Sequence, residues 1–288
     1  LELGADIIVT GRVTDTSITM APMIYEFGWE FNDWDKLASG LVAGHIIECG
    51  AQSTGGNFTD WKKVEKWVNF GYPIVEVYPD SSFIVTKHDN TGGLVSVDTV
   101  KEQLVYEMGD PMNYISPDVV VDFLTIQLQD AGKNRVKVSG VKGRPSTKFF
   151  KASLVYADGY KASSAIIISG PDAKIKAEYF NIMFWKRLGI DFEKSNTEMI
   201  GYNSCHLNLA NEIEPNEILL NFSVFDHDRS KIDEFAKSIA LLILSGPPGV
   251  AVTGGRPRTR EVMTFYPALI PKELVKAGYR VYDTYGMI

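Results

Sequence analysis

The chain has 288 residues, 45% hydrophobic and 23% charged, with a formal net charge of −7. That is length for two domains and apolar mass for a sizeable core, while the acidic balance excludes the Lys- and Arg-rich surface that nucleic acid or an anionic membrane requires. Cys49 and Cys205 are its two cysteines, which is no disulfide framework and fits a cytoplasmic home.

The opening, Leu1-Glu-Leu-Gly-Ala-Asp, reads as a helix end running into a strand, so the native polypeptide is expected to extend upstream. Residues 5–10, Ala-Asp-Ile-Ile-Val-Thr, form a short apolar run typical of a parallel strand buried on both faces. Such a strand needs a missing N-terminal region or another chain to cover it. Residues 11–17 follow at its C-terminal end, where open α/β sheets bind ligands, which makes Arg12 and Asp15 substrate-binding candidates. Asp15 also reads as a helix N-cap. A helix beginning at Thr19, with Pro22 in its first turn, would leave it free.

Asn32 or Asp33 is placed to cap a second helix running to about Cys49, whose apolar residues cover much of its circumference. Gly40 and Gly44 are four apart and admit a close neighbour. His45, Glu48 and Cys49 stand at i, i+3 and i+4, on one face. Alone, His45 reads as a hydrogen-bonded core residue; with Glu48 and Cys49 beside it, general acid/base chemistry becomes an alternative. Gly50 stops the helix. Thr54-Gly55-Gly56-Asn57 then offers backbone N–H groups with no β-carbon in the way, as a ligand-approaching loop needs.

Residues 74–78 and 83–87 read as paired strands joined by Pro79-Asp-Ser-Ser. Lys87 closes the second, and His88-Asp-Asn-Thr91-Gly92-Gly93 leads into an amphipathic helix over 97–108 whose N-terminus carries positive partial charge. After Pro117, residues 119–129, 135–141, 149–156 and 160–169 are strand-like, with hairpin turns expected at 130–134 and at Ala157-Asp-Gly159. Helices are expected over 172–188 and 229–244, the latter capped by Asp228, and strands over 218–225 and 261–269. A third Thr-Gly-Gly, at 253–255, precedes Arg256, Arg258 and Arg260, which read as ligands for a carboxylate or a CoA phosphate, or as a solvated or interface row.

The fold expected is α/β: a partial parallel-sheet domain with Gly-rich loops over 1–115, then an α+β domain with antiparallel strands over 116–288. The second half has more sheet than its helices can cover, so a homo-oligomer is expected.

Several long stretches resemble the acyclic terpene utilisation (AtuA-like) family: residues 4–15, Glu26-Phe-Gly-Trp29, Gly44-His…Glu-Cys-Gly-Ala-Gln…Thr-Gly-Gly-Asn57, Thr86-Lys…Thr-Gly-Gly93, Tyr106-Glu-Met-Gly-Asp-Pro111 and Arg260-Glu-Val…Leu269-Ile-Pro-Lys-Glu-Leu274. The resemblance covers nearly the whole chain. It implies a further N-terminal α/β region upstream and a place in the breakdown of citronellol- and geraniol-type terpenes, which proceeds through acyl-CoA thioesters. Gly254-Gly255-Arg-Pro-Arg stands where the family has a longer glycine run.

Four chemistries fit these residues. An enzyme on an acyl-CoA or branched carboxylate would hold its small-molecule substrate with Arg12, Asp15, Thr54, Gly55, Gly56, Asn57, Lys87, Thr91, Gly92 and Gly93, and move a proton with His45, Glu48 or Cys49. Cys49 could instead be a thiol nucleophile. His45 and Glu48 make two metal ligands without a third, so no metal is expected. The fourth reading is a non-catalytic scaffold. No cofactor is expected beyond a coenzyme A moiety belonging to the substrate, and neither nucleic acid nor membrane is expected as a partner. Dinucleotide, Walker, zincin and nucleophile-elbow signatures are missing.

Overall fold

A computed structural model describes residues 1–11, 13–209, 211 and 213–282, so Arg12 lies outside the described residues. The chain divides into two compact units, Leu1–Lys151 together with the chain from Leu269 onward, and Ala152–Ala268.

In the first unit, helix α1 (Ser17–Phe27) stops at Gly28, whose φ of 59° is the left-handed cap that glycine adopts freely. It packs on α2 (Trp34–Glu48), which is buried continuously from Leu37 to Ile46. The two glycines of α2 make the contact. A β-carbon on Gly44 would lie 2.7 Å from the Thr16 backbone, and one on Gly40 would lie 2.9 Å from Met20. Strands β1 (Pro73–Val77) and β2 (Phe83–Lys87) pair as the turn residues implied, with Val75 opposite Val85. Helix α3 (Val97–Val105) starts at a capping box between Ser96 and Thr99.

Five short strands follow: β3 (Tyr114–Ile115), β4 (Val119–Asp122), β5 (Gln127–Asp130), β6 (Val136–Ser139) and β7 (Lys142–Pro145). They build one sheet in the order β1-β2-β6-β5 and another in the order β3-β4-β7. Leu37, Leu41, Val42 and Ile46 of α2 meet Phe83, Val85, Val119, Val121, Val136 and Val138 in one core. The start of α2 is fastened to β7, where the Asp35 carboxylate accepts hydrogen bonds from the Gly143 N–H (3.0 Å) and the Lys142 ammonium (2.6 Å).

The parallel sheet expected for this part is not formed among the described residues. Residues 5–10 belong to no strand, and Ile7 and Val9 are 80% and 91% exposed. An apolar run becomes a buried parallel strand only with ladder partners on both sides, and no described strand comes alongside it. Every strand pair whose register is described is antiparallel; the one parallel contact described is an isolated bridge between Phe70 and Gly92. The fold is therefore mixed α/β with antiparallel sheets.

The second unit is organised by one long strand, β8 (Phe149–Ser169). Helix α4 (Ala173–Leu188), β9 (Lys194–Ile200), β10 (Glu217–Asp226), α5 (Arg229–Leu242), β11 (Val250–Val252) and β12 (Arg260–Pro271) follow. The sheet order is β11-β8-β10-β9, with β12 also on β8. Ile218, Leu220, Phe222 and Val224 alternate along β10 and meet Phe180 and Phe184 of α4 and Phe235 of α5. The opposite face of the sheet is more polar: Ser163 bonds Ser223 and Asn221 donates to Glu198. Asp228 caps α5 by accepting from the Ser230 N–H at 2.8 Å.

No hairpin forms at Ala157-Asp-Gly159, where β8 stays extended. Its later half pairs with β10, and the Asp158 carboxylate is taken up by His227 (3.2 Å) and the Thr264 hydroxyl (2.8 Å). Turn-forming residues do not turn a chain whose flanks are each held by another strand.

Candidate functional site

The first two Thr-Gly-Gly loops are packed against each other. Thr54 is fully buried, and its hydroxyl lies 2.6 Å from the Gly71 carbonyl and 3.0 Å from that of Ala51. The Leu94 N–H donates to Thr54 O (2.7 Å), Gly93 to Glu65 O (2.9 Å), Gly92 to Asn69 O (2.5 Å) and Gly71 to Gly92 O (3.1 Å). Gly55 and Gly56 donate to Gln52 O and Ala51 O. A β-carbon on Gly92 would sit 2.0 Å from Lys66 O, and one on Gly93 2.7 Å from Thr54 O. The glycines thus mark points where three backbone segments touch, and their N–H groups face inward. Asn57 is exposed beside them in a left-handed conformation.

Lys87 enters this knot from the end of β2. It is 8% exposed, and its ammonium donates to the Thr91 carbonyl (2.8 Å) and reaches the Thr91 hydroxyl (3.3 Å). None of the described ion pairs includes it. Burial pushes its pKa below the ordinary lysine value; Asp89 opposes that shift, and the ammoniums of Lys133 and Lys66 add to it. Asp89 offsets part of the charge of the three ammonium groups, and a further anion beside Lys87 would offset more.

A second group forms at the end of α2. His45 is 2% exposed. Its Nε2 lies 3.0 Å from the Gln103 carbonyl, while the Gln103 amide returns a bond of 2.7 Å to the His45 carbonyl. A carbonyl oxygen only accepts, so Nε2 carries a hydrogen. Nδ1 faces Glu48 Oε1 at 3.1 Å. A hydrogen bond there would take its hydrogen from the ring or from the carboxyl group. Neither ring nitrogen faces outward; the accessible group is Glu48, whose side chain is 21% exposed.

Tyr114 stacks near this pair, with its ring 5.9 Å from His45 and 5.0 Å from Phe123. Burial raises its pKa above the usual phenol value, and the negative charges of Glu48, Glu107 and Asp15 raise it further. The phenol is held as a hydroxyl among carboxylates. Sequence reasoning passed over Tyr114 because a two-residue strand has no periodic signal.

The described candidates therefore fall into two groups. Asp15, His45, Glu48 and Cys49 gather around Tyr114. Thr54, Gly55, Gly56, Lys87, Thr91, Gly92 and Gly93 form the loop knot, with Asn57 at its edge. Helix α3 joins them, from its cap at Ser96 to Gln103, a rise of about 10 Å. A concavity of about 390 Å³ lies elsewhere in the same unit, among Asp35, Lys36, Ser39, Ser81, Ser82 and Lys142, and contains none of the candidates. Arg256, Arg258 and Arg260 are exposed. Among the described residues no group of three or more His, Cys, Asp and Glu side chains is placed to hold a metal ion.

The family model described as "Acyclic terpene utilisation family protein AtuA" matches residues 1–281. The chain belongs to the AtuA family. No curated protein and no solved structure matches it. Membership places this AtuA chain in acyclic terpene utilisation. Among its described residues no helix is long and apolar enough to cross a membrane.

Proposed function

We propose that this AtuA-family chain is a cytoplasmic catabolic enzyme acting on an acyl-CoA thioester, or a related branched carboxylate, in acyclic terpene breakdown. One observation carries the reading: Lys87 is buried, is in none of the described ion pairs, and has two cations, Lys66 and Lys133, near it against the single carboxylate of Asp89. A phosphate or carboxylate of the substrate supplies negative charge beyond that of Asp89. Glu48 is the group that gives or takes the proton, because it is exposed and lies within hydrogen-bonding reach of His45 behind it. His45 acts as a positioning residue, held by Gln103 in one tautomer.

The test is thermal shift and turnover of the full chain with a panel of acyl-CoA thioesters. Lys87→Met should weaken ligand binding about tenfold or more with the fold intact. Glu48→Gln should lower turnover about a hundredfold, the scale of losing a general acid or base. No shift and no turnover with any thioester would sink the proposal. That outcome fits the second reading, a scaffold of the same pathway, which is favoured by the inward-facing N–H groups of the glycine loops.

A further inference from the structure

Within the second unit, β8 changes character at Gly159. From Tyr160 to Ser169 it is paired with β10, whose last residue, Asp226, faces Tyr160. Gly159 has a φ of 80°, a left-handed conformation, and a β-carbon there would lie 3.0 Å from the Asp226 carbonyl and 3.1 Å from the Phe225 ring. Ahead of this glycine the strand is an arm that runs beyond the end of β10. β12 pairs with β8, and its Thr264 hydroxyl bonds Asp158 on the arm (2.8 Å).

His227, the first residue after β10, bridges this junction. Its Nδ1 lies 2.8 Å from Glu193 Oε1, just before β9, and its Nε2 lies 3.2 Å from Asp158 Oδ1. Both carboxyls sit below their ordinary pKa, Glu193 through bonds from the His227 ring and backbone N–H, Asp158 through the Thr264 hydroxyl and the His227 ring. An ionised carboxylate only accepts, so each ring nitrogen must bring a hydrogen, and the ring is an imidazolium. The same contacts, Glu193 before Asp158, hold its pKa above the ordinary histidine value. The other charges at the junction are Lys194 of β9, Asp226 of β10, and Asp228, Arg229 and Lys231 around the start of α5. Three of them are engaged nearby: Asp226 accepts from Lys231 (2.9 Å), and Asp228 caps α5.

We propose that His227 is a pH-operated clasp across the hinge at Gly159: as an imidazolium it ties the arm of β8 to the start of β9, and loss of a ring proton releases the arm. The neutral ring has one hydrogen for two acceptors. Nδ1 keeps it, because that contact is the shorter and the His227 backbone N–H also fixes Glu193 (3.2 Å). Nε2 then turns a lone pair toward Asp158, and the arm keeps the Thr264 bond and its pairing with β12. The folded chain favours the charged ring, so the clasp contributes fully below the ordinary histidine value and is lost as pH rises through the raised one. It does not depend on the substrate proposed above.

The test is the titration of His227 in the full chain, followed by NMR of its ring nitrogens. Both should carry hydrogen at about pH 7, and the ring should titrate above about 6.5, the ordinary histidine value. His227→Gln assigns the resonance by its loss; should that variant fail to fold, Glu193→Gln assigns it by lowering its titration. Hydrogen exchange, corrected for the intrinsic rate, reads the arm itself. From about pH 6 to about pH 9, protection of amides 155–158 should fall roughly two- to fivefold, the scale of one exposed ion pair, while amides 218–224 of β10 hold theirs. In His227→Gln the arm should show no such fall. A wild-type ring that titrates at or below about 6.5, arm protection that ignores pH in the wild type, or an equal fall in a folded His227→Gln would each overturn the proposal.

Discussion

The same tripeptide, Thr-Gly-Gly, occurs three times in this chain in two different physical situations. At 54–56 and 91–93 the loops are pressed together, with carbonyls where β-carbons would stand and a buried threonine hydroxyl between backbones. At 253–255 the tripeptide is exposed, and a β-carbon on Gly254 or Gly255 would meet nothing within 4 Å. Glycine at the first two serves close approach; at the third it serves chain freedom alone. A repeated motif in one chain is therefore no evidence of a repeated role.

The comparison breaks if the two situations respond alike to a methyl group. Gly92→Ala forces a β-carbon onto Lys66 O and should cost about 3 kcal/mol or more, lowering the melting temperature by roughly 6–12 °C. A Gly92→Ala protein melting with the wild type would show that the knot yields easily. Next in size is Thr54→Val, which leaves the buried Gly71 carbonyl without the Thr54 hydroxyl and should cost about 1–3 kcal/mol in denaturant unfolding. Thr253→Val, whose hydroxyl donates to Ala165 O at an exposed site, should cost less than about 0.5 kcal/mol.

A pH dependence sharpens the contrast. Lys87 has a lowered pKa in the folded chain, so below that value its burial is a destabilising charge. Between the lowered and the ordinary value the unfolded chain binds the extra proton, and stability rises with pH. Urea unfolding across that alkaline window should show the rise in wild type and a flatter profile in Lys87→Met. Equal slopes would remove Lys87 from the account. The smallest effects belong to Gly254→Ala and Gly255→Ala, each within about 0.5 kcal/mol of wild type in the same assay.

What was legible in the sequence was whatever rests on local pattern. The apolar circumference of α2, the turn between β1 and β2, and the alternation of β10 are read from spacing, and Gly40 and Gly44 announced the approach of α1. Spacing also put His45 and Glu48 on one face. It could not show that Nε2 is bound by Gln103, 58 residues away. Residues 5–10 misled because an apolar run records a tendency to be buried, while burial itself depends on neighbours. Ala157-Asp-Gly159 misled because turn residues are permissive rather than compulsory. The inward N–H groups of Gly92 and Gly93 were illegible for a related reason: their acceptors, Asn69 O and Glu65 O, lie in a loop without pattern.

The depth of α2 has a consequence for synthesis. A helix buried on every side from Leu37 to Ile46 leaves the ribosome before most of what covers it. Its cover includes α3, β4 and β7, and β7 is made roughly 95 residues after α2 ends. At about 5–20 residues per second that is a delay of roughly 5–20 s. For that interval α1 is the one neighbour of α2 already made among its larger contacts, and the nascent chain carries a helix destined for full burial only part-covered. Such a chain would depend on a holdase or on slow dilution more than its modest hydropathy suggests, and its yield should fall when translation outpaces capture.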